Sequence, residues 1–215
     1  MRVNLTPVHG LSAYSVIGHT RARFFGPEVG GVIFNAPVTT PVFRIDHDQA
    51  FEQVSHLQYQ PFKRSPWMGF NWNYQSGLVA GNAPFATDTT TPVDLSGFTP
   101  DQQAQAQFTC AGVRATLTHP LTTCAPNDLS SPLIKIPAPG TQNPDRNPQR
   151  IAPRNTFDLS LGADDIFHRE RLKTNVQFTV VNLTNQYSLY NYLSTFSGTH
   201  FVAPRAFAGQ IGFSF

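Results

Sequence analysis

The sequence predicts an all-β fold, an antiparallel up-and-down transmembrane β-barrel segment of about six strands that form an incomplete barrel. Three observations predict it. Several segments alternate apolar and polar residues with period two, the connections between them alternate short and long, and the last alternating segment runs to Phe215 at the end of the sequence.

In residues 204–215, Phe207, Gly209, Ile211, Phe213 and Phe215 share one parity, and Ala206, Ala208, Gln210, Gly212 and Ser214 share the other. Successive strand side chains point to opposite faces, so this stretch is apolar on one side. Soluble domains usually end in a few frayed polar residues. A chain that closes on an alternating strand and an aromatic residue is how outer-membrane barrels end.

The composition agrees. Only 13% of the 215 residues are charged, while Gly, Pro and Phe number 15, 18 and 18, a mix that suits strands and long loops. A net charge of +2 with no basic stripe gives nucleic acid no footprint. No apolar run of about 18 residues exists, so no transmembrane helix is expected; barrel strands escape that test because they alternate. The first ten residues hold no secretory leader. That leaves a cytoplasmic protein or the carboxy-terminal part of a longer exported chain, and the second is the expectation.

Residues 11–25 read as the first strand, with Tyr14, Val16 and Phe24 opposite Arg21 and Arg23. After a Gly/Pro-marked loop at 26–41, residues 43–59 read as a long strand projecting above a membrane. Its parity is spoiled by His47, Gln49 and Gln53. A tight basic turn at 61–66 leads into 67–77, where Met68, Phe70, Trp72 and Tyr74 oppose Gly69, Asn71, Asn73 and Gln75. Residues 78–153 show no sustained alternation and read as a long outer loop. Within it, Thr99-Pro100-Asp101-Gln102 is a capping box with Pro at the first helical position, which predicts a short helix to about Phe108. Phe157, Leu159 and Leu161 in 155–163 and Val176, Phe178 and Val180 in 172–181 complete two more strands around a charged turn at 164–171. A Tyr-rich loop at 182–203 precedes the terminal strand.

The connections run long, short, very long, short, long, the pattern of barrels with short periplasmic turns and long extracellular loops. A soluble β-sandwich carbohydrate-binding module is the alternative, with more even turns and a more charged solvent face. A small barrel or adhesin assembled from several copies is a third possibility.

Val181-Asn-Leu-Thr-Asn185, Phe196-Ser-Gly-Thr-His200, the ending from Pro204-Arg205 to Phe215, Phe43-Arg-Ile-Asp-His-Asp48 and Trp72-Asn-Tyr-Gln-Ser-Gly77 together resemble TonB-dependent outer-membrane receptors, the large acidobacterial type above all. The resemblance covers the last third or so of such a barrel. It implies a barrel of roughly 22 strands around an amino-terminal plug, of which plug and earlier strands are absent here. It further implies uptake of a scarce ligand (siderophore, cobalamin or glycan). The implied partners are outer-membrane lipid, the remainder of the barrel with its plug, the TonB complex and the barrel-assembly machinery. Phe207, Ile211, Phe213 and Phe215 would be the assembly signal.

No catalytic constellation, cofactor site or metal site emerges, so no enzymatic activity is expected. There is no Gly-x-Ser-x-Gly elbow to recruit Asp158, Ser197 and His200, and no phosphate-binding glycine loop. Asp46-His47-Asp48 reads as a solvated cluster, and Asn182-Leu-Thr184 as a sequon without use in a bacterial protein. Cys110 and Cys124, the two cysteines, would close a loop of about 15 residues if paired. Export favours the disulfide, and a cytosolic location would leave two free thiols. Trp67, Trp72, Tyr59 and Tyr74, with Phe213 and Phe215, suit interfacial girdles. Tyr187, Tyr190, Tyr192 and Phe196 are candidate ligand contacts. Lys173, Asn175, Gln177 and Gln210 are expected to face the lumen, opposite the odd residues of 207–215.

Overall fold

The computed structural model describes residues 1–25, 42–63, 65–83, 86–143, 145, 147–164, 166–167, 173–194 and 197–214. Seven strands form its main sheet: β1 (Arg2–Val8), β2 (Leu11–Thr20), β3 (Gln49–Tyr59), β4 (Trp67–Gln75), β5 (Arg154–Ala163), β6 (Lys173–Val181) and β7 (Ala206–Ser214). Each pairs antiparallel with the next in sequence order, so the sheet is one up-and-down meander. β1 and β7 are its edges, and no described strand joins them. The all-β, antiparallel expectation holds; the sheet is open.

The strand count is seven where six are expected, because β1 is an additional strand. His9 and Gly10 both have left-handed φ, 51° and 81°. Two such residues between antiparallel strands make the favoured tight hairpin turn. Gly10 also has no room for a side chain: a Cβ there would lie 2.1 Å from the carbonyl oxygen of Gln60. Alternation in β1 is short, with Val3 and Leu5 opposite Arg2, Asn4 and Thr6.

The two long strands expected at 11–25 and 43–59 are each broken. β2 stops at Thr20 and β3 starts at Gln49, and Arg23–Phe25 pairs with Val42–Arg44 as a separate short ladder. Asp48 causes the break. Its side chain is fully buried and accepts from the Ala22 N–H at 3.3 Å, while its own N–H donates to Ile45 O at 2.9 Å. His47 and Gln49, two of the three residues that spoil the apolar parity, therefore flank a corner, while Gln53 lies within β3.

The strand ends that 9–10, 60–66 and 164–172 join lie at one end of the meander, and those that 21–48, 76–153 and 182–205 join lie at the other. The expected loop at 26–41 lies outside the described residues.

The described residues of 76–153 form a packed unit where a long outer loop is expected. Leu95, Phe108, Ala115, Leu129, Ile134 and Ile151 form the buried core there, joined by Leu189 and Tyr192 from the last long connection. Two-residue ladders hold it: 93–94 with 123–124, 109–110 with 113–114 and with 129–130, and 134–135 with 150–151. The predicted helix is present as α1 (Pro100–Ala106). Thr99 accepts from the Gln102 N–H, the Gln102 side chain accepts from the Thr99 N–H, and Gln107 ends the helix in left-handed conformation.

Candidate functional site

The register sorts the side chains of all seven strands onto two faces. Val3 and Leu5, Ala13 and Ile17, Leu57 and Tyr59, Phe70 and Trp72, Phe157 and Leu159, Phe178 and Val180, and Phe207, Ile211 and Phe213 share one face. No charged residue occupies this face on β3 to β7. Stacked ring pairs run across it, Phe70 with Phe157 at 5.8 Å and Phe178 with Phe207 at 6.2 Å between centroids. Several of its polar side chains pair with one another: Ser15 and Ser55 hydroxyls lie 2.9 Å apart, the Gln53 amide donates to Ser55, and Trp72 Nε1 donates to Asn155 at 2.9 Å.

This apolar face is not a core. Phe207, Ile211 and Phe213 are 66%, 64% and 61% exposed, and Val3, Leu5, Leu57, Met68, Leu161 and Phe178 are also exposed. The buried hydrophobic cluster lies in the loop unit instead. Phe207, Ile211 and Phe213 share the face as expected, and Phe215 lies outside the described residues. Tyr59 near one end of this face and Tyr74 near the other bracket the apolar rows. Trp67 belongs to the opposite face, a correction to its expected place beside them. Its indole lies across Gly162, where a Cβ would come within 2.3 Å of the ring, and Nε1 donates to Asp164 at 3.4 Å.

The opposite face is mostly polar, with Arg2, Asn4, Glu52, His56, Asn71, Asn73, Thr156, Asp158, Asn175, Gln177, Thr179 and Gln210, and it also carries Tyr14, Val16, Val54, Trp67 and Val181. Lys173, Asn175, Gln177 and Gln210 sit together on it, as the parity predicts. Short hydrogen bonds tie neighbouring strands, with His56 Nδ1 at 2.7 Å from Asn71 Oδ1 and Ser160 at 3.0 Å from Thr179. Asp158 accepts from the Asn182 N–H at 2.9 Å.

The three long connections form a cap that is fastened by buried polar groups. Asp48 accepts from Arg150 and, at 3.3 Å, from Arg44. Arg150 also donates to the carbonyls of Asp48 and Gly77 at 3.0 and 3.1 Å. Burial alone pushes the Asp48 carboxyl up, but Arg150, Arg44 and the Ala22 N–H together outweigh it and hold the group below the ordinary carboxylate value. Asp46 is buried too, accepting from Ser194 and lying 2.9 Å from His47 Nδ1. The cluster expected to be solvated is thus a tie between connections. Asp46 and Asp48 have separate partners, and among the described residues no group of three or more His, Cys, Asp or Glu side chains is gathered for a metal.

Gln103 is the cap's other fastener. Its amide donates to the carbonyls of Leu95, Phe98 and Leu121 and accepts from the Leu121 N–H, with distances of 3.2, 3.2, 2.9 and 2.8 Å. Gln103→Ala leaves these buried backbone groups unpaired and is expected to destabilise the cap by about 2 kcal/mol. Hydrogen exchange at the Leu121 amide reads the loss.

Cys110 and Cys124 form a disulfide, 14 positions apart with Cα atoms 5.7 Å apart. It closes the segment between the ladders at 109–110 and 123–124. Reduction is expected to cost the cap about 3 kcal/mol. Protease nicking within 111–123 after reduction, absent in the oxidised protein, measures it.

The Tyr-rich connection divides. Tyr187 and Tyr190 are exposed, Tyr187 stacked on Phe201 at 4.7 Å and Tyr190 beneath the Arg154 guanidinium at 4.7 Å. Tyr192 differs from the surface position expected of a ligand contact: it is fully buried against Phe108, and burial pushes its phenol up. Phe196 lies outside the described residues. Asn182 is likewise structural, its amide donating to Gln186 O and Ala203 O and accepting from the Gln186 N–H. With Asn185, which accepts from the Arg205 N–H, it closes the neck of this connection. Arg150, Arg154 and Gln103 escape sequence reasoning because their partners are backbone groups and a carboxylate distant in sequence, which no local pattern marks.

Comparison with protein-family models, curated proteins and solved structures finds no match.

Proposed function

We propose that this chain is a wall segment of an outer-membrane barrel of the TonB-dependent receptor type. The seven-strand apolar face contacts lipid, the polar face lines a watery lumen, and the cap faces the cell exterior, where it takes part in capturing a scarce ligand for uptake. On this reading it is a receptor part and performs no catalysis. Its partners are outer-membrane lipid, further barrel strands with a plug, the TonB complex acting on that plug, and the barrel-assembly machinery.

The observation that carries the reading is the uncovered apolar face. A sandwich would lay a second sheet about 10 Å from it. Among the described residues nothing does so, and the buried core is elsewhere. Soluble monomers rarely expose so large an apolar patch. Mutual hydrogen bonding of Ser15, Gln53, Ser55, Trp72 and Asn155 suits hydrocarbon, which leaves polar groups no other partner. The open edges of β1 and β7 support the same view, since lipid does not tolerate unpaired strand edges and further strands would have to cover them. Placement of every tight turn at one end and the cap at the other matches the periplasmic and outer sides of such barrels.

Fractionation after expression tests the proposal. The protein is expected with the outer membrane, released by detergent only. Recovery as a detergent-free soluble monomer contradicts it.

A further inference from the structure

Beneath the last long connection, the polar face holds a cavity of about 250 Å³ whose lining includes Asn73, Gln75, Thr156 and Tyr190, with Val54 and Val202. Asn73 and Thr156 face each other across β4 and β5, Val54 stands beside Asn73 on β3, and Gln75 lies in the next row towards the long connections. Further along this face polar side chains use their groups on one another or on backbone: His56 on Asn71, Ser160 on Thr179, Asp158 on the Asn182 N–H. Around the cavity they do not. The side chains of Asn73, Gln75 and Thr156 have no hydrogen-bond partner among the described residues, and their polar atoms are open to solvent. Two amides and a hydroxyl, each side chain able both to donate and to accept, therefore border one space unpaired.

The two charged neighbours bring no charge to it. Arg154 uses Nη1 on the carbonyls of Leu189 and Tyr190 at 2.9 and 3.0 Å, and its Nη2 is sealed from solvent. Glu52 turns its carboxylate over Gly18, where a Cβ would lie 2.6 Å from Oε1, and accepts from the Gln49 amide at 3.4 Å. An ionic ligand would lose hydration here without gaining a counter-charge, a larger cost than a neutral group meets. Tyr190 is 49% exposed, and its ring is held by the Arg154 guanidinium carbon at 4.7 Å. With Val54 and Val202 it sets apolar surface beside the amides, which suits a ligand with carbon faces and hydroxyl edges. The volume falls below the roughly 300–1,000 Å³ of drug-sized sites, so it takes a single ring.

We propose that this cavity binds one neutral hexopyranose ring, its hydroxyls bonded to Asn73, Gln75 and Thr156 and its C–H surface against Tyr190 and the two valines. The site belongs to the polar face and stands whether or not lipid wets the other.

The test titrates the folded full chain, kept free of glycoside detergents, with D-glucose, D-galactose and D-mannose, and with cyclohexanol, glucuronate and glucosamine. Side-chain amide shifts of Asn73 and Gln75 are the readout. At least one of the neutral hexoses is expected to saturate, with cyclohexanol about tenfold weaker or more, since it forfeits most of the hydroxyl bonds. Glucuronate and glucosamine are expected to bind no tighter than glucose. Thr156→Val and Asn73→Leu break no hydrogen bond of the fold. Each should weaken the hexose about fivefold, read at Gln75, and leave cyclohexanol binding unchanged. No saturation by any hexose, equal binding of cyclohexanol, tighter binding of either charged sugar, or an unchanged hexose affinity in either variant would overturn the assignment.

Discussion

Arginine at Ile211 is expected to cost about 2–4 kcal/mol of stability in a bilayer, whereas arginine at the adjacent Gln210 costs little. Both residues sit mid-strand in β7, paired with Val176 and Gln177 respectively, so they share depth and edge position and differ only in face. Ile211 is 64% exposed on the apolar face, so substitution neither creates a cavity nor forces a clash. The whole penalty would come from placing a guanidinium in hydrocarbon. Denaturant titration of the variants refolded into liposomes reads the difference directly. A small, equal effect at both positions would mean water wets both faces.

Asp48→Ala is expected to be the most damaging single change in the cap, at about 3 kcal/mol. Removing one partner from a buried ion network leaves the others uncompensated, a loss of roughly 3–5 kcal/mol. Arg44 and Arg150 keep some contact with solvent, at 16% and 15% side-chain exposure, which places the expectation at the lower end. The Val79 amide, which donates to Asp48 O, and the Ile151 amide, which donates to Leu78 O, should exchange about 10²-fold faster. The same carboxylate sets an acid limit. Its folded-state pKa is depressed below the ordinary 3.8, so its contribution is complete above that value and disappears as pH falls through the lower, folded value. Cap protection should therefore hold at pH 5 and fail well below pH 3.8. Asp48→Ala should lose this pH dependence.

The strands were legible where one face repeated long enough. Residues 67–77, 155–163 and 204–215 show it, because each alternates over three or more pairs and parity alone assigns the faces. The helix was legible from four residues, since Thr99, Pro100 and Gln102 each satisfy a different orphan group of the first turn. The cap was not. Leu95, Phe108, Leu129, Ile134 and Ile151 are drawn from two-residue ladders and turns, so their spacing carries no period although all are buried. Asp48 fits the polar parity of a long strand, and its role at the corner is not legible because its partners, Arg150 and Ala22, lie far away in sequence. Tyr192 and Tyr190 are two positions apart in one hairpin, yet one is core and one is surface. Composition could not separate them; only the docking of that hairpin on the 76–153 unit does. Arg154 fell at the seam between an irregular stretch and a strand, where neither kind of pattern speaks.

Whether hydrocarbon covers one face of the sheet is measured most directly on β7. Single spin labels are placed in turn at positions 207 to 213 in the protein reconstituted in lipid. Collision with oxygen, which concentrates in the bilayer, is compared with collision with a water-soluble nickel complex. Labels at 207, 209, 211 and 213 are expected to favour oxygen, and those at 208, 210 and 212 to favour nickel, in strict alternation. Uniform access of the nickel complex along the whole strand, or oxygen contact without a period of two, would contradict it.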